Sequence, residues 1–307
     1  MARYRRRTGR YGAEVPDVCV LGNPEASPVA EVSERIAAAG YDVESPSTGS
    51  GDELTEAATR AVTAGAGRVI AVGGDGVVHH VAQALAETEV VLGVVAHGTG
   101  NDFARALGLL EGDLAQHVAA ALAEPSPVDA IRTTHGWVCT VATLGFSGDV
   151  TDRANALRWP RGGSRYSLAT LMQLPRLRTI PVSVTVDGDE FADATTLLSV
   201  GNTAYFGGGM RICPNASAID GVLDVVNIGA VPRHRFVRVF PTVFSGRHVD
   251  RDEVECTTGE SVVIGGSTEI DLWADGELLG PLPVTLEVVP QALRVAGVGQ
   301  ASDSSPH

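Results

Sequence analysis

Between residues 17 and 124, short continuous runs of apolar residues alternate with segments whose apolar residues recur at helical spacing. Val29, Val32 and Ile36, for example, fall on one face of a helix. Strands that are apolar along their whole length are typical of a parallel sheet that is covered on both faces. The sequence therefore predicts a doubly wound α/β domain. Its predicted strands are residues 17–21, 41–45, 68–72 and 90–96.

Beyond residue 127, strand-like runs are separated by short turns rather than by helices. The His-Gly step at 135–136 and the Asp-Gly step at 187–188 each separate two such runs, which predicts two β-hairpins. Helical spacing returns near 150–174 and 232–244. This half of the chain is therefore expected to form a mostly antiparallel β-sandwich. Further strands are expected near 222–228, 254–257, 261–264, 269–273 and 283–289.

The Glu-Pro-Ser-Pro stretch at 124–127 predicts a boundary between these two parts. The first domain is expected to span residues 17–127 and the second residues 128–289. A basic arm at 1–16 and a tail at 301–307 are expected to be disordered.

All 23 basic residues of the chain are arginines, and 37 acidic residues bring its net charge to −14. Without a lysine, the chain lacks the phosphate-binding residue of P-loop enzymes and the Schiff-base residue of pyridoxal enzymes, which excludes both classes. The excess of negative charge also argues against a general nucleic-acid-binding protein. An anionic substrate would have to be bound by local arginines, by backbone N–H groups or through a metal.

The four cysteines, Cys19, Cys139, Cys213 and Cys256, are far apart and include no Cys-x-x-Cys pair. They are expected to be small buried side chains in a reducing compartment, rather than disulfides or a zinc site. No apolar run reaches the roughly 18 residues of a membrane span. The basic residues at the start are not followed by an apolar stretch, so they are not expected to be a signal peptide. The chain is therefore expected to be soluble and cytoplasmic.

The motif Gly73-Gly74-Asp75-Gly76 stands where a predicted parallel strand ends and a helix begins, which is where α/β sheets bind their ligands. Its glycines allow a phosphate to approach the backbone, and the helix N-terminus supplies N–H groups. Asp75 is unusual there because its carboxylate repels a phosphate unless a metal or a proton relieves the repulsion. The alternative interpretation is a glycine turn with a capping aspartate.

A second loop, at 98–102, follows the next predicted strand. The hydroxyl of Thr99 could donate to a phosphate, while the polar residues at 101–102 could cap the following helix. Because neighbouring parallel strands end at the same edge of a sheet, the two loops would line one crevice. His79 and His80 have no acidic or histidine partner at ligand spacing, so a core or surface role is favoured over metal binding.

Two further Asp-Gly steps of the second half are at 220–221 and 275–276. From the residues alone, such steps are hairpin turns. Nothing in the composition selects Asp220 or Glu277 as catalytic.

Four motifs nevertheless occur in the order found in the diacylglycerol-kinase-like lipid kinases, a family that includes bacterial diacylglycerol kinases and sphingosine kinases. The chain resembles this family over roughly residues 17–295. The resemblance implies an N-terminal nucleotide-binding domain, a lipid-binding β-sandwich, and a final segment at 290–300 that returns to the first domain. The motifs are GGDG at 73–76, HGTGNDFAR at 97–105, GGGM…P…DG at 207–221 and DGE at 275–277.

The resemblance also implies roles for particular residues. Asp220 would hold a magnesium ion through water, beside the backbone carbonyls of Ser217 and Val222. Glu277 would be the base that takes the proton of the lipid hydroxyl, and Asp75 is placed with it in the catalytic set. The implied nucleotide-binding residues are Asn23, Thr48, Gly73, Gly74, Asp75, Gly76 and Thr99.

Four positions depart from the family pattern. Val77 stands where threonine usually follows GGDG, and His80 replaces a frequent acidic residue. Ala96 and His97 replace the proline and aliphatic residue that usually precede GTGND.

The implied function is an ATP- and magnesium-dependent kinase of phospholipid metabolism that phosphorylates a lipid hydroxyl, converting diacylglycerol to phosphatidic acid. Two alternatives stay open at this point. One is an NAD kinase-like enzyme, which shares a GGDG loop, and the other is a nucleotide- or lipid-binding module without turnover. No nucleic-acid partner is expected, and the sequence leaves a homodimer open.

A lipid substrate further implies peripheral contact with the anionic inner face of the membrane. Residues 153–178 contain six arginines and no acidic residue, with Trp159 and Tyr166 among them. Residues 231–244 carry an aromatic face opposite basic residues, and Pro241 is expected to kink this helix. The alternative is that the aromatic face packs on the β-sandwich and the arginines are simply solvated.

Overall fold

A computed structural model describes residues 17–145 and 177–299. The arm at 1–16, the tail at 301–307 and the arginine-rich residues up to 176, with Trp159, Tyr166 and the helical segment expected near 150–174, lie outside the described residues. Of the helices in the described ranges, none is long and apolar enough to cross a bilayer.

Within these ranges the chain forms sixteen strands and six α-helices. The strands are β1 (Val18–Leu21), β2 (Val43–Glu44), β3 (Arg68–Gly73), β4 (Val91–Ala96), β5 (Pro125–Thr133), β6 (Gly136–Val138), β7 (Val141–Gly145), β8 (Ile180–Val186), β9 (Asp189–Thr195), β10 (Leu197–Gly201), β11 (Leu223–Ile228), β12 (Val254–Gly259), β13 (Ser261–Gly265), β14 (Asp271–Ala274), β15 (Glu277–Pro281) and β16 (Val284–Ala296). The helices are α1 (Val29–Ala38), α2 (Gly51–Ala64), α3 (Asp75–Leu85), α4 (Asp102–Ala106), α5 (Leu114–Leu122) and α6 (Arg233–Val239), with 3₁₀ helices at Phe240–Ser245 and Arg247–Asp250.

The chain divides into two compact units. Strand β16 contributes its first residues to the second unit and its last residues to the first. The described residues of the first unit are 17–98, 107–128 and 292–299, and those of the second are 99–106, 129–145 and 177–291.

The first unit is a parallel sheet in the order β2-β1-β3-β4, which the last residues of β16 extend. All four residues of β1 are buried, which requires cover on both faces of the sheet. Val32 and Ile36 of α1 share an apolar core with Val118 of α5 and with Val20 and Val72 of the sheet. The α/β fold predicted for this part is therefore confirmed.

The sequence predicts Asp52 as the N-cap residue of helix α2, but the observed N-cap lies two residues earlier. The hydroxyl of Ser50 accepts the backbone N–H of Glu53 at 3.3 Å, so Ser50 is the N-cap residue. Asp52 instead lies in the first turn, where its negative charge interacts favourably with the helix dipole. At the other end Gly65 adopts a φ of +91°, the left-handed conformation that ends many helices.

The second unit is an antiparallel β-sandwich, as predicted. One sheet has the strand order β12-β11-β10-β7-β14-β15, and strands β8, β9 and β13 with the start of β16 form the facing layer. Val184 and Ile264 of this layer share a buried core with Leu198, Val225 and Leu272 of the first sheet. The predicted hairpin at 187–188 forms with positive φ at both turn residues, as a type I′ turn requires.

Helix α6 gives way to a 3₁₀ helix at Phe240, just before Pro241. The aromatic face predicted for this segment is mostly buried against the sandwich, which agrees with the second interpretation of the sequence. Its last member is an exception, because Phe244 is 48% exposed. The tighter 3₁₀ turn rotates Phe244 away from the direction that α-helical spacing predicts. The buried members are Phe236, Val239, Phe240 and Val243.

Three of the four cysteines, Cys19, Cys139 and Cys213, are buried as expected. Cys256 is exposed, so the expectation for it was wrong. It lies on β12, which is an edge strand of its sheet.

Candidate functional site

In the first unit, neighbouring parallel strands end side by side at one edge of the sheet. Gly73 at the end of β3 is paired with Ala96 at the end of β4, and Leu21 at the end of β1 is paired with β3. The N–H of His97 donates to the carbonyl oxygen of Gly73 at 2.8 Å, which holds the residue after β4 beside the end of β3. Asn23 and the GGDG loop therefore follow strands that end at the same edge.

Thr48 is joined to this edge through its side chain. Its buried hydroxyl donates to the carbonyl oxygen of Gly22 at 2.9 Å. Gly22 cannot carry a side chain, because a Cβ atom there would lie 2.3 Å from the carbonyl oxygen of Val72. Asn23 follows directly, and its Oδ1 accepts the N–H of Glu25 at 2.9 Å. The hydroxyl hydrogen of Thr48 is thus used within the fold, where it holds the turn that carries Asn23.

The GGDG loop leads straight into helix α3, whose first residue is Asp75. Gly74 is the N-cap residue and supplies no side chain to the first-turn N–H groups, a geometry that favours an anion at the helix N-terminus. A Cβ atom on Gly73 would lie 2.5 Å from Cγ2 of Val77. Val77, which stands where the family pattern has threonine, therefore packs against the loop.

His79 and His80 have packing roles between helices α2 and α3. The hydroxyl of Thr55 donates to the carbonyl oxygen of His80 at 3.0 Å. A Cβ atom on Gly51 would lie 2.1 Å from Nε2 of His80, so the imidazole fills the space beside this glycine. His79 is buried and meets the His80 ring edge-on, with 5.3 Å between the ring centroids. Among the described residues, no group of three or more His, Cys, Asp or Glu side chains could hold a metal ion.

Thr99 belongs to the second unit, together with helix α4. In this unit the buried carboxylate of Asp102 accepts the N–H of Gly208 at 2.8 Å. Gly208 lies in the run Gly207–Gly209, in which all three residues have positive φ. A side chain is disfavoured at each of these positions, so the GGG motif is needed to shape the loop that Asp102 holds.

Two arginines lie at the aromatic ring of Tyr205. The guanidinium carbon atoms of Arg105 and Arg211 are each 5.9 Å from the centroid of this ring. Arg105 also lies 3.8 Å from the carboxylate of Asp102. In a chain without lysine, a pair of arginines beside a glycine-rich loop is suited to an anionic group such as a phosphate. The sequence contained a signal for Arg105, which ends the HGTGNDFAR motif.

The loop that carries Asp220 is held by Asp129, a residue outside the four sequence motifs. The two carboxylate oxygens of Asp129 accept the N–H of Gly221 at 2.9 Å and the N–H of Gln291 at 2.7 Å. The N–H of Asp129 donates to the carbonyl oxygen of Ala218 at 2.7 Å. Asn202 fixes the backbone of Asp129 in turn, since its Nδ2 donates to the carbonyl oxygen of Asp129 at 2.8 Å.

Asp220 is exposed on this loop, with Ser217 and Val222 on either side along the chain. Its Oδ1 accepts the N–H of Val222 at 3.2 Å. Burial, together with the negative charge of Asp220, raises the pKa of Asp224 to about 6. Asp224 is therefore a carboxyl group close enough to Asp220 to be affected by its charge.

Glu277 follows a turn that is held by a second buried carboxylate. Asp275 accepts the N–H of Cys139 at 2.9 Å, the N–H of Thr140 at 2.8 Å and the hydroxyl of Thr140 at 2.6 Å. Asp275 and Gly276 both have positive φ, which confirms the hairpin turn between β14 and β15. Glu277 is the first residue of β15 and is partly exposed, so its carboxylate is accessible on a fixed turn.

Within the second unit, the structure thus gathers Ser217, Asp220 and Val222 in one loop and places Glu277 on a separate turn. Asn23, Thr48 and the GGDG loop belong to the first unit. Asp129 and Asp275 are the residues that sequence reasoning missed, and the signal for Asp275 was its place in the DGE motif.

The sequence matches two family models. Residues 18–133 match the diacylglycerol kinase catalytic domain, and residues 140–297 match the YegS C-terminal NAD kinase beta sandwich-like domain. Together these two matches span most of the chain.

Individual proteins match over similar lengths. A diacylglycerol kinase of Mycobacterium tuberculosis is 38% identical over 295 residues, which cover 92% of this chain and 95% of that protein. A diacylglycerol kinase of Bacillus subtilis is 29% identical over 259 residues, covering 83% and 86%. The crystal structure of a diacylglycerol kinase from Bacillus anthracis has a TM-score of 0.69 at 20% identity and covers 93% of this chain and 98% of that one, which shows that the fold is shared.

Proposed function

The chain belongs to the diacylglycerol kinase family of lipid kinases, and on that premise we propose that it uses ATP and Mg²⁺ to phosphorylate diacylglycerol. The product is phosphatidic acid. The observation that carries this proposal is the pair of buried carboxylates, Asp129 and Asp275, which hold the turns bearing Asp220 and Glu277. Two acidic side chains on fixed turns are suited to binding a cation and accepting a proton, the two tasks that a kinase requires.

The nucleotide is bound at the sheet edge of the first unit in this proposal. The GGDG residues, Gly73, Gly74, Asp75 and Gly76, approach its phosphates at the start of helix α3. Asn23 contacts the nucleotide from the neighbouring turn, which Thr48 positions through Gly22. The hydroxyl of Thr99, which belongs to the second unit, is suited to donate to a phosphate.

The loop at 217–222 would hold the magnesium ion. Mg²⁺ prefers hard oxygen ligands and usually keeps several of its own waters, so one carboxylate and the carbonyls of Ser217 and Val222 are a suitable set. Asp220 is exposed on a loop that Asp129 holds, so its carboxylate is accessible to a cation. When bound, the ion neutralises negative charge that develops on the phosphoryl group.

Glu277 is the general base of the proposed reaction. It takes the proton of the lipid hydroxyl, whose oxygen attacks the γ-phosphorus while the bond to the β–γ bridging oxygen breaks. ADP leaves with the electron pair of that bond. Catalysis depends mainly on positioning and electrostatic stabilisation, which is why buried hydrogen bonds at Asp129 and Asp275 matter for the chemistry.

A phosphoryl-transfer assay tests this proposal. The full chain is incubated with ATP labelled in its γ-phosphate, Mg²⁺ and a single acceptor, which is diacylglycerol, sphingosine or NAD⁺. We expect label in phosphatidic acid, and we expect Glu277→Gln to remove it. Label in NAD⁺ with none in either lipid would support the NAD kinase-like alternative, and label in none of the three would support a module without turnover.

A further inference from the structure

The exposed side of residues 233–247 combines basic and apolar side chains. Val237 is 46% exposed and Phe244 is 48% exposed, while the opposite side of the same segment is buried in the sandwich. Arg233, Arg238 and Arg247 are also exposed. The buried side already anchors the segment, so the fold does not need the exposed side chains.

The charge of this segment is opposite to that of the chain. No aspartate or glutamate occurs from residue 225 to residue 249, although the whole chain carries a net charge of −14. Arg235 is paired with Glu253 at 3.4 Å. Arg233, Arg238 and Arg247 are exposed and form no ion pair with another described residue.

We infer that this surface, formed by Arg233, Val237, Arg238, Phe244 and Arg247, docks on an anionic lipid bilayer. Arginines gain from anionic headgroups, and half-exposed apolar side chains gain from insertion at the level of the headgroups and upper acyl chains. A nucleic acid would offer charge but no apolar layer for Val237 and Phe244. The repulsion between the acidic chain and the membrane is screened beyond about 8 Å at physiological salt, so the local arginines dominate.

The inference rests on the proposed function in one respect, since it assumes that the acceptor is a membrane lipid. Lipid binding itself is measured without ATP and does not depend on catalysis. The probe is a set of phosphatidylcholine vesicles, with and without one third phosphatidylglycerol, to which the full chain is added before flotation.

The wild-type chain should float with the phosphatidylglycerol vesicles and much less with phosphatidylcholine alone, and high salt should weaken its binding. Arg233→Glu with Arg238→Glu should reduce binding to the anionic vesicles by about tenfold or more. The matched control is Arg35→Glu with Arg60→Glu, which makes the same change in net charge on exposed parts of helices α1 and α2 and should bind nearly as well as the wild type.

Val237→Ser with Phe244→Ser tests the apolar part and should also reduce binding severalfold. Val263→Ser is its control, because Val263 is 43% exposed on strand β13, outside this surface. Wild-type vesicle binding in both double variants of the surface would overturn the inference, and so would an equal loss in the controls. Near-UV circular dichroism of every variant shows whether a loss of binding reflects unfolding.

A soluble short-chain diacylglycerol separates this inference from the proposed kinase activity. The surface variants should phosphorylate it at the wild-type rate but should be slower on diacylglycerol in anionic vesicles. If the wild type binds vesicles as expected but phosphorylates neither substrate, the proposed kinase activity is wrong and the inferred membrane-docking surface is supported. If it phosphorylates the soluble substrate but does not bind vesicles, the inferred membrane-docking surface is wrong and the proposed kinase activity is supported.

Discussion

The carboxylate of Asp129 accepts a hydrogen bond of 2.9 Å from the N–H of Gly221, a residue 92 positions later in the chain. Its other oxygen accepts the N–H of Gln291 at 2.7 Å. The loop that carries Asp220 is therefore fixed by the buried carboxylate of Asp129, which lies on strand β5. This carboxylate does not itself need to contact a substrate. Removing it should disturb catalysis through position rather than through lost chemistry.

Replacement of Asp129 by asparagine should test this role. The asparagine amide has one acceptor oxygen, so its NH₂ group would face one of the two N–H donors. We expect a loss of about 2 kcal/mol in the free energy of unfolding and a fall in turnover of about tenfold or more. Urea unfolding and kinase assays measure the two effects. Asp193→Asn, at an exposed carboxylate on strand β9, should change neither, and a wild-type turnover in Asp129→Asn would contradict the positioning role.

Asp220→Asn should weaken the binding of magnesium. An amide oxygen keeps the shape of the side chain but loses its negative charge, so the Mg²⁺ concentration needed for the half-maximal rate should rise by about tenfold. Thermal unfolding without magnesium should occur at the wild-type temperature or slightly above it, because Asp220 is exposed and its charge disfavours ionisation of Asp224. Titration of the kinase rate with MgCl₂ measures the shift. An unchanged titration would remove Asp220 from the proposed metal site.

The carboxyl group of Asp224 should make stability depend on pH. Burial and the charge of Asp220 raise its pKa to about 6, above its value of about 3.9 in the unfolded chain. The folded state therefore binds this proton more tightly, and the contribution of Asp224 to the free energy of unfolding falls as the pH rises from about 4 to about 7. Asp224→Asn removes this contribution.

Melting temperatures in EDTA at the two ends of this pH range measure the effect. The melting temperature of Asp224→Asn minus that of the wild type should be more positive at about pH 7 than at about pH 4. Asp193→Asn serves again as the exposed control and should show a smaller dependence. A difference that stays constant or decreases with rising pH would contradict the raised pKa.

The sequence predicted the parts of the fold that depend on local patterns. The continuous apolar runs became buried parallel strands, and the Asp-Gly step at 187–188 became a type I′ hairpin, because backbone conformation there follows from neighbouring residues. The exposure of Phe244 was not predictable from helical spacing, since the change to 3₁₀ geometry at Phe240 alters the angle between successive residues.

The motifs of the candidate site were predictable from the sequence, but the hydrogen bonds by which Asp129 holds the Asp220 loop were not. In the sequence, Asp129 has no feature that distinguishes it from other strand residues. Its hydrogen-bond partners Gly221 and Gln291 lie 92 and 162 positions away. Hydrogen bonds over such separations leave no periodic or local signal in one sequence. Val77 departs from the family pattern, but its packing against Gly73 follows from the backbone geometry of the loop and not from the residue type.

Glu277→Gln should separate the chemical step from substrate binding. Glutamine keeps the size of the side chain and the start of strand β15 but cannot accept a proton at neutral pH. Because general-base catalysis is typically worth about 10²–10⁴-fold, we expect turnover to fall within that range while the affinity for ATP stays near the wild-type value. Single-turnover kinetics and a nucleotide-binding titration measure the two quantities. Glu269→Gln, at an exposed residue before strand β14, is the matched control and should keep full activity. If Glu277→Gln retained more than about half of the wild-type turnover, Glu277 would not be the base, and the proton of the lipid hydroxyl would have to leave by another route.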